Sequence, residues 1–113
     1  MDQSAFRHGR LTDQLPANTE TEEFLPLVTN GTGRVERIVS AGQITPPGFW
    51  YDQEEDEFVL LVAGGAILTI DGREQPVELK PGDWISLPAH CRHRVEWTSA
   101  DPITIWLAVF TKP

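Results

Sequence analysis

Residues 81–95 read PGDWISLPAHCRHRV, and this stretch decides the fold. Pro81-Gly82 is a turn signal, since proline presets one backbone angle and glycine tolerates the next. Trp84-Ile85-Ser86-Leu87 then reads as a short strand, and Pro88-Ala89 breaks it. The chain resumes as a strand at His93. Side chains alternate across a strand, so His93 shares a face with Val95 and Trp97, while Arg92, Arg94 and Glu96 take the wet face. A histidine on the dry face, directly after a tight turn, is a candidate ligand at the mouth of a barrel.

The same rhythm extends in both directions. Strand-like runs fall at residues 34–41, 57–63, 66–71, 76–79, 84–87, 92–98 and 103–110. Turn signals separate them: Pro46-Pro47-Gly48, Gly64-Gly65, Asp71-Gly72, Pro81-Gly82, Pro88 and Asp101-Pro102. No helical period of useful length occurs after Arg34. Short strands at regular spacing predict an all-β sandwich or barrel, whose closure removes exposed edges. The expected organisation is an irregular N-terminal leader, residues 1–33, followed by a barrel, residues 34–113. Within the leader, Thr19-Glu20-Thr21-Glu22-Glu23 is the one plausible helical start. Phe24-Leu25-Pro26-Leu27-Val28 is apolar but broken by proline, which suits an edge segment or an arm lying on another surface.

Composition narrows the classes of partner. The 113 residues suffice for one core and not two. Nine basic against 17 acidic side chains give a net charge of -8, which argues against nucleic acid or an anionic membrane as partner. Cys91 is the only cysteine, so no internal disulfide forms, and a reducing cytoplasm is the expected location. The start of the chain, MDQSAFRHGR, lacks the apolar core of a signal peptide, and no run reaches membrane-spanning length.

Residues from about Gly48 to Trp97 resemble the cupin superfamily, and in particular small single-domain bacterial cupins. The second cupin motif runs Gly, five residues, Pro, one, Gly, two, His, three, Asn. Gly82, Pro88 and His93 fall at those spacings, with His90 in place of the second glycine and Trp97 in place of the asparagine. The first motif ends in Glu, six residues, Gly, which Glu57 and Gly64 match. The resemblance implies a jelly roll, or double-stranded β-helix barrel. It also implies a metal site, and there the chain departs. Counting back from Glu57 places Gln53 and Tyr51 where the family has its two motif histidines; counting forward from Gly48 gives Glu54 and Asp56 instead. The backward count is preferred, because the strand at Glu57 anchors it.

The inward set is then Tyr51, Gln53, Glu57 and His93. With Gln53, Glu57 and His93 as ligands, it would hold a divalent ion (Zn, Mn, Fe or Ni) less tightly than three histidines and a glutamate. Tyrosine ligates reluctantly, its phenol having a pKa of about 10. The metal-free alternative pairs Glu57 with His93 by hydrogen bonding, Gln53 and Tyr51 satisfying what remains. His90 and Cys91, in the turn before His93, and the acidic run Glu54-Glu55-Asp56 read as structural or solvated. Trp50 and Asp52 point away from the set, and His8 lies in the leader.

The last run is apolar on both faces: Ile103, Ile105, Leu107 and Val109 on one, Trp106, Ala108 and Phe110 on the other. Both must be covered. One face fills the barrel, and the other, expected to carry Trp106 and Phe110, packs on the leader or a second subunit; the resemblance favours a homodimer. Two functions stay open. One is a divalent-metal-dependent enzyme on a small organic substrate, with Tyr51 as acid, base or hydrogen-bond donor. The other is a non-catalytic module that binds a small polar or carbohydrate-like molecule.

Overall fold

The computed structural model describes residues 6–113. Among them are eight strands: β1 Glu23–Asn30, β2 Gly33–Ser40, β3 Asp56–Ala63, β4 Ala66–Ile70, β5 Val77–Leu79, β6 Trp84–Leu87, β7 His93–Thr98 and β8 Thr104–Thr111. They form a five-stranded sheet, β1-β2-β8-β3-β6, and a three-stranded sheet, β5-β4-β7, antiparallel throughout. The all-β class is what the strand spacing predicts, and the jelly roll is what the resemblance implies. Among the described residues no helix is long and apolar enough to cross a membrane.

Register decides which side chains meet inside. Glu57 pairs with Phe110, Val59 with Ala108 and Leu61 with Trp106, so β3 and β8 turn these six inward together. Leu61 and Ala108 are fully buried, and Trp106 and Phe110 are 5% and 4% exposed within the core. Trp106 and Phe110 therefore face the barrel interior, not the leader or a partner. The outer face of β8 belongs to Leu107 and Val109, both only partly buried. Apolarity alone could not choose between the faces; the pairing with Glu57 and Val59 does.

β7 departs from strict alternation. Trp97 pairs with Ile67 and Val95 with Leu68, leaving Glu96 as an extra residue in a bulge. His93 and Val95 stay inward, but Trp97 is turned out, 46% exposed, and lies over the backbone of Gly65. The expected common face of His93, Val95 and Trp97 thus ends at Val95.

Residues 19–23 do not begin a helix. Glu23 enters β1, where it pairs with Val39 of β2, and Pro26 sits on the sheet edge, where its missing N–H costs no ladder bond. A register shift follows between Pro26 and Val28. Upstream, residues 11–14 are tied to the outer face by Arg37, which is only 4% exposed. Its guanidinium donates to the carbonyls of Leu11, Asp13 and Gln14 and pairs with Glu23 at 2.7 Å.

Candidate active site in the barrel cavity

A cavity of about 100 Å³ opens between the sheets, and Tyr51, Gln53, Glu57 and His93 all line it. One space thus brings together Glu57, the Tyr51 and Gln53 reached by the backward count, and His93 of the second motif. Glu57 arrives on β3 and His93 at the start of β7. Tyr51 and Gln53 arrive on an irregular segment that runs antiparallel to the approach to β7. Tyr51 exchanges two backbone hydrogen bonds with His93, at 2.8 and 3.1 Å, and the Gln53 carbonyl accepts from His90 N–H at 2.7 Å. Alternation along this segment turns Tyr51 and Gln53 inward and leaves Asp52 exposed.

His93 is held in one tautomer. Its Nδ1 lies 2.8 Å from the Cys91 carbonyl oxygen, which can only accept, so Nδ1 carries the proton and Nε2 keeps its lone pair. Nε2 is 3.9 Å from Oε1 of Glu57, too long for a hydrogen bond and short enough to share a small ligand. The Tyr51 ring stacks on His93 with centroids 5.4 Å apart. Burial lowers the pKa of His93, although the bond to the Cys91 carbonyl opposes the shift. Burial also pushes Glu57 up to about 7; the charge of Arg34 opposes this, and Glu36 and Glu55 add to it. Tyr51 is raised too, by burial and then by the charges of Glu22 and Glu57. Near neutral pH the cavity therefore holds a neutral imidazole base, a phenol donor and a carboxyl poised between its two forms.

Other sequence candidates sit outside this space. His90 is exposed and pairs with Asp52 at 2.7 Å; its backbone is left-handed, φ 64°, where the cupin motif has glycine. Cys91 contributes its backbone to the site through the bond to His93. Glu54 is exposed, Glu55 pairs with Arg34 at 2.7 Å, and Asp56 accepts from the Ala89 N–H at 2.8 Å. Trp50 packs outside, beneath Arg92 and Arg94. His8 stacks on Phe6.

Three polar lining residues lie outside the set expected from the sequence: Glu22, Gln43 and Thr45. Thr45 accepts the Val95 N–H at 2.8 Å, pinning its loop to β7. Glu22 accepts from the Ser40 hydroxyl, whose oxygen accepts from Trp106 Nε1 at 3.0 Å. Assigning residues 19–23 to a helical start hid Glu22. Extending the β1 alternation back one step places Glu22 with Phe24, inward, and Glu23 with Leu25, outward.

The donor chemistry does not fit a tightly held divalent ion. Glu57 and His93 are strong ligands, but Gln53 offers only a neutral amide, and the raised pKa of Tyr51 makes its phenol a poorer ligand still. Among the described residues no three His, Cys, Asp or Glu side chains converge to hold a metal.

A family profile described as "Cupin domain" matches residues 35–110. A crystal structure from Ralstonia eutropha, provisionally assigned as a mannose-6-phosphate isomerase, is similar at 45% identity and TM-score 0.91, covering 95% of this chain and 99% of that one. A cupin superfamily protein of Desulfitobacterium hafniense (19% identity, TM-score 0.71, 88% and 84% covered) shares the fold. So does KdgF of a Halomonas species (17% identity, TM-score 0.66, 81% and 79% covered). No curated protein matches.

Proposed function

We propose, on the premise that this chain belongs to the cupin domain family, that it is an enzyme moving a proton on a small polar organic substrate, an isomerisation being the simplest such reaction. The observation that carries this reading is the buried Glu57–His93 pair, 3.9 Å apart and facing one cavity without bonding to each other. A structural pair would close the gap with a hydrogen bond; an open one leaves room for a reacting atom. His93 Nε2, its ring locked by Cys91, accepts a hydrogen bond from the substrate. Glu57, held at about 7, exchanges a proton with the substrate in either direction, and the Tyr51 hydroxyl polarises a substrate oxygen. The Ralstonia protein, with its isomerase assignment, supports the reaction class.

Deuterium wash-in tests this. Small hydroxy- and amino-carbonyl compounds are incubated with the protein in heavy water and followed by NMR. Wild type is expected to exchange a carbon-bound proton in at least one of them, and Glu57→Gln and His93→Asn to lose the exchange by at least about a hundredfold while staying folded. Saturable binding without exchange would favour the non-catalytic binding module instead.

Assembly forms part of the same reading. Phe58 and Trp84 stack on the outer face of the five-stranded sheet, centroids 5.5 Å apart, and are 39% and 61% exposed. Leu60, Leu107 and Val109 adjoin them by register. This apolar face supports a homodimer, in the cytoplasmic setting that a lone Cys91 suits.

A further inference from the structure

Anionic groups find no counter-charge in the cavity. Among the described residues its polar lining is Glu22, Gln43, Thr45, Tyr51, Gln53, Glu57 and His93, with no lysine or arginine. The nearby cations are committed elsewhere. Arg34 lies 4.1 Å over the Phe110 ring and is paired with Glu36 and Glu55. Arg37, on the opposite face of β2, is held by Glu23 and the leader carbonyls. Arg92 and Arg94 stand outside at Trp50.

Glu57 is 8% exposed and lines the space, and among the described residues its carboxyl has no hydrogen-bond partner. Buried charges are tolerated when paired, so this group leaves a place for a cation. Glu22 supplies a second carboxylate, one oxygen of which is oriented by Ser40. Phe24, Tyr51, Trp106 and Phe110 add aromatic wall, whose ring faces attract positive charge. The net charge of -8 favours the approach of cations and opposes anions. Cavities of roughly 150 Å³ accept a benzene ring; about 100 Å³ limits the buried part of a ligand to a few heavy atoms.

We propose that the cavity recognises a small organic cation, an ammonium-type group held between Glu22 and Glu57 against the rings of Phe24, Tyr51 and Trp106. This deepens the proton-transfer reading and rests on its placement of the site: the substrate carries an amine, and a sugar phosphate is excluded. The inference separates this chain from the phosphorylated substrate that the assignment of its Ralstonia relative names.

Calorimetric titration at pH 8 and constant ionic strength tests it, with tetramethylammonium, its neutral isostere tert-butanol, and mannose 6-phosphate. Tetramethylammonium is expected to saturate one site, to bind roughly tenfold or more tightly than tert-butanol, and mannose 6-phosphate to give no saturation. Glu22→Gln and, independently, Glu57→Gln should each reduce the preference for the cation over its isostere. Equal affinity for cation and isostere, no saturation by tetramethylammonium, tighter binding of mannose 6-phosphate, or an unchanged preference in both variants would overturn the proposal. The titration reads occupancy without turnover. Cation preference without any proton exchange would sink the enzyme reading alone, and exchange with a phosphate preference would sink this one alone.

Discussion

Glu57 gains its chemistry from what surrounds it. A carboxyl on the dry face of β3, opposite Phe110 and beside an imidazole that cannot donate to it, loses most of its water and gains no hydrogen-bond partner among the described residues. The pH profile of kcat/KM should therefore rise with an apparent pKa of about 7, as Glu57 ionises to accept the substrate proton. Glu57→Gln should abolish that limb together with the activity; a profile still rising near 7 in an active Glu57→Gln enzyme would assign it elsewhere. The four residues of the candidate site were legible through the resemblance: Glu57, Gly64, Gly82, Pro88 and His93 match the two cupin motifs, and the motif spacing counted back from Glu57 reaches Gln53 and Tyr51. Their chemistry was not legible. The 3.9 Å gap, the tautomer of His93 and the presence of Glu22 come from contacts between segments remote in sequence.

At the scale of elements, the strand boundaries after Arg34 follow the sequence within a residue or so, since turn residues punctuate them. What alternation missed is the bulge at Glu96, which carries no composition signal; in β1 the proline left an edge segment and an arm both open, and the edge strand forms. Two loops test how these elements are fixed. Gly64 has φ 81°, and a Cβ there would stand 2.5 Å from Thr104 Oγ1 and 2.6 Å from its Cα. Gly64→Ala should cost about 3 kcal/mol or more in denaturant melts, because both the backbone angle and the contact with β8 are violated. Arg37→Ala should cost about 2–4 kcal/mol, leaving Glu23 and three leader carbonyls without their donor. Limited proteolysis of that variant should cut first among residues 11–14. A leader as resistant as in the wild type would show that Arg37 does not hold it.

For the whole molecule, the outer sheet face and the pH dependence of stability are the informative properties. If Phe58 and Trp84 meet a second copy, light scattering on a size-exclusion column should give twice the chain mass, and Trp84→Glu should give one chain mass with the cavity intact. A monomeric wild type would refute the dimer. Stability carries the signature of the site itself. Glu57 titrates at 4.5 when exposed and about 7 when folded, so between these values the folded state holds a proton that the unfolded chain releases. Unfolding free energy then falls as pH rises from 4.5 through 7, by up to about 3 kcal/mol, and the loss persists above 7. His93, lowered by burial, has the opposite sign: its contribution is lost as pH falls below 6.5 toward its folded value. Comparing wild type with Glu57→Gln at each pH separates the two. The decisive measurement is this difference in unfolding free energy, by urea melts from pH 4 to 9. A buried, unpartnered Glu57 predicts that the variant becomes progressively more stable relative to wild type between about pH 4.5 and 7 and keeps that advantage at pH 8. A difference that stays flat across that range, or changes in favour of wild type, would mean that Glu57 is paired or solvated, contradicting a site built on an open, near-neutral carboxyl.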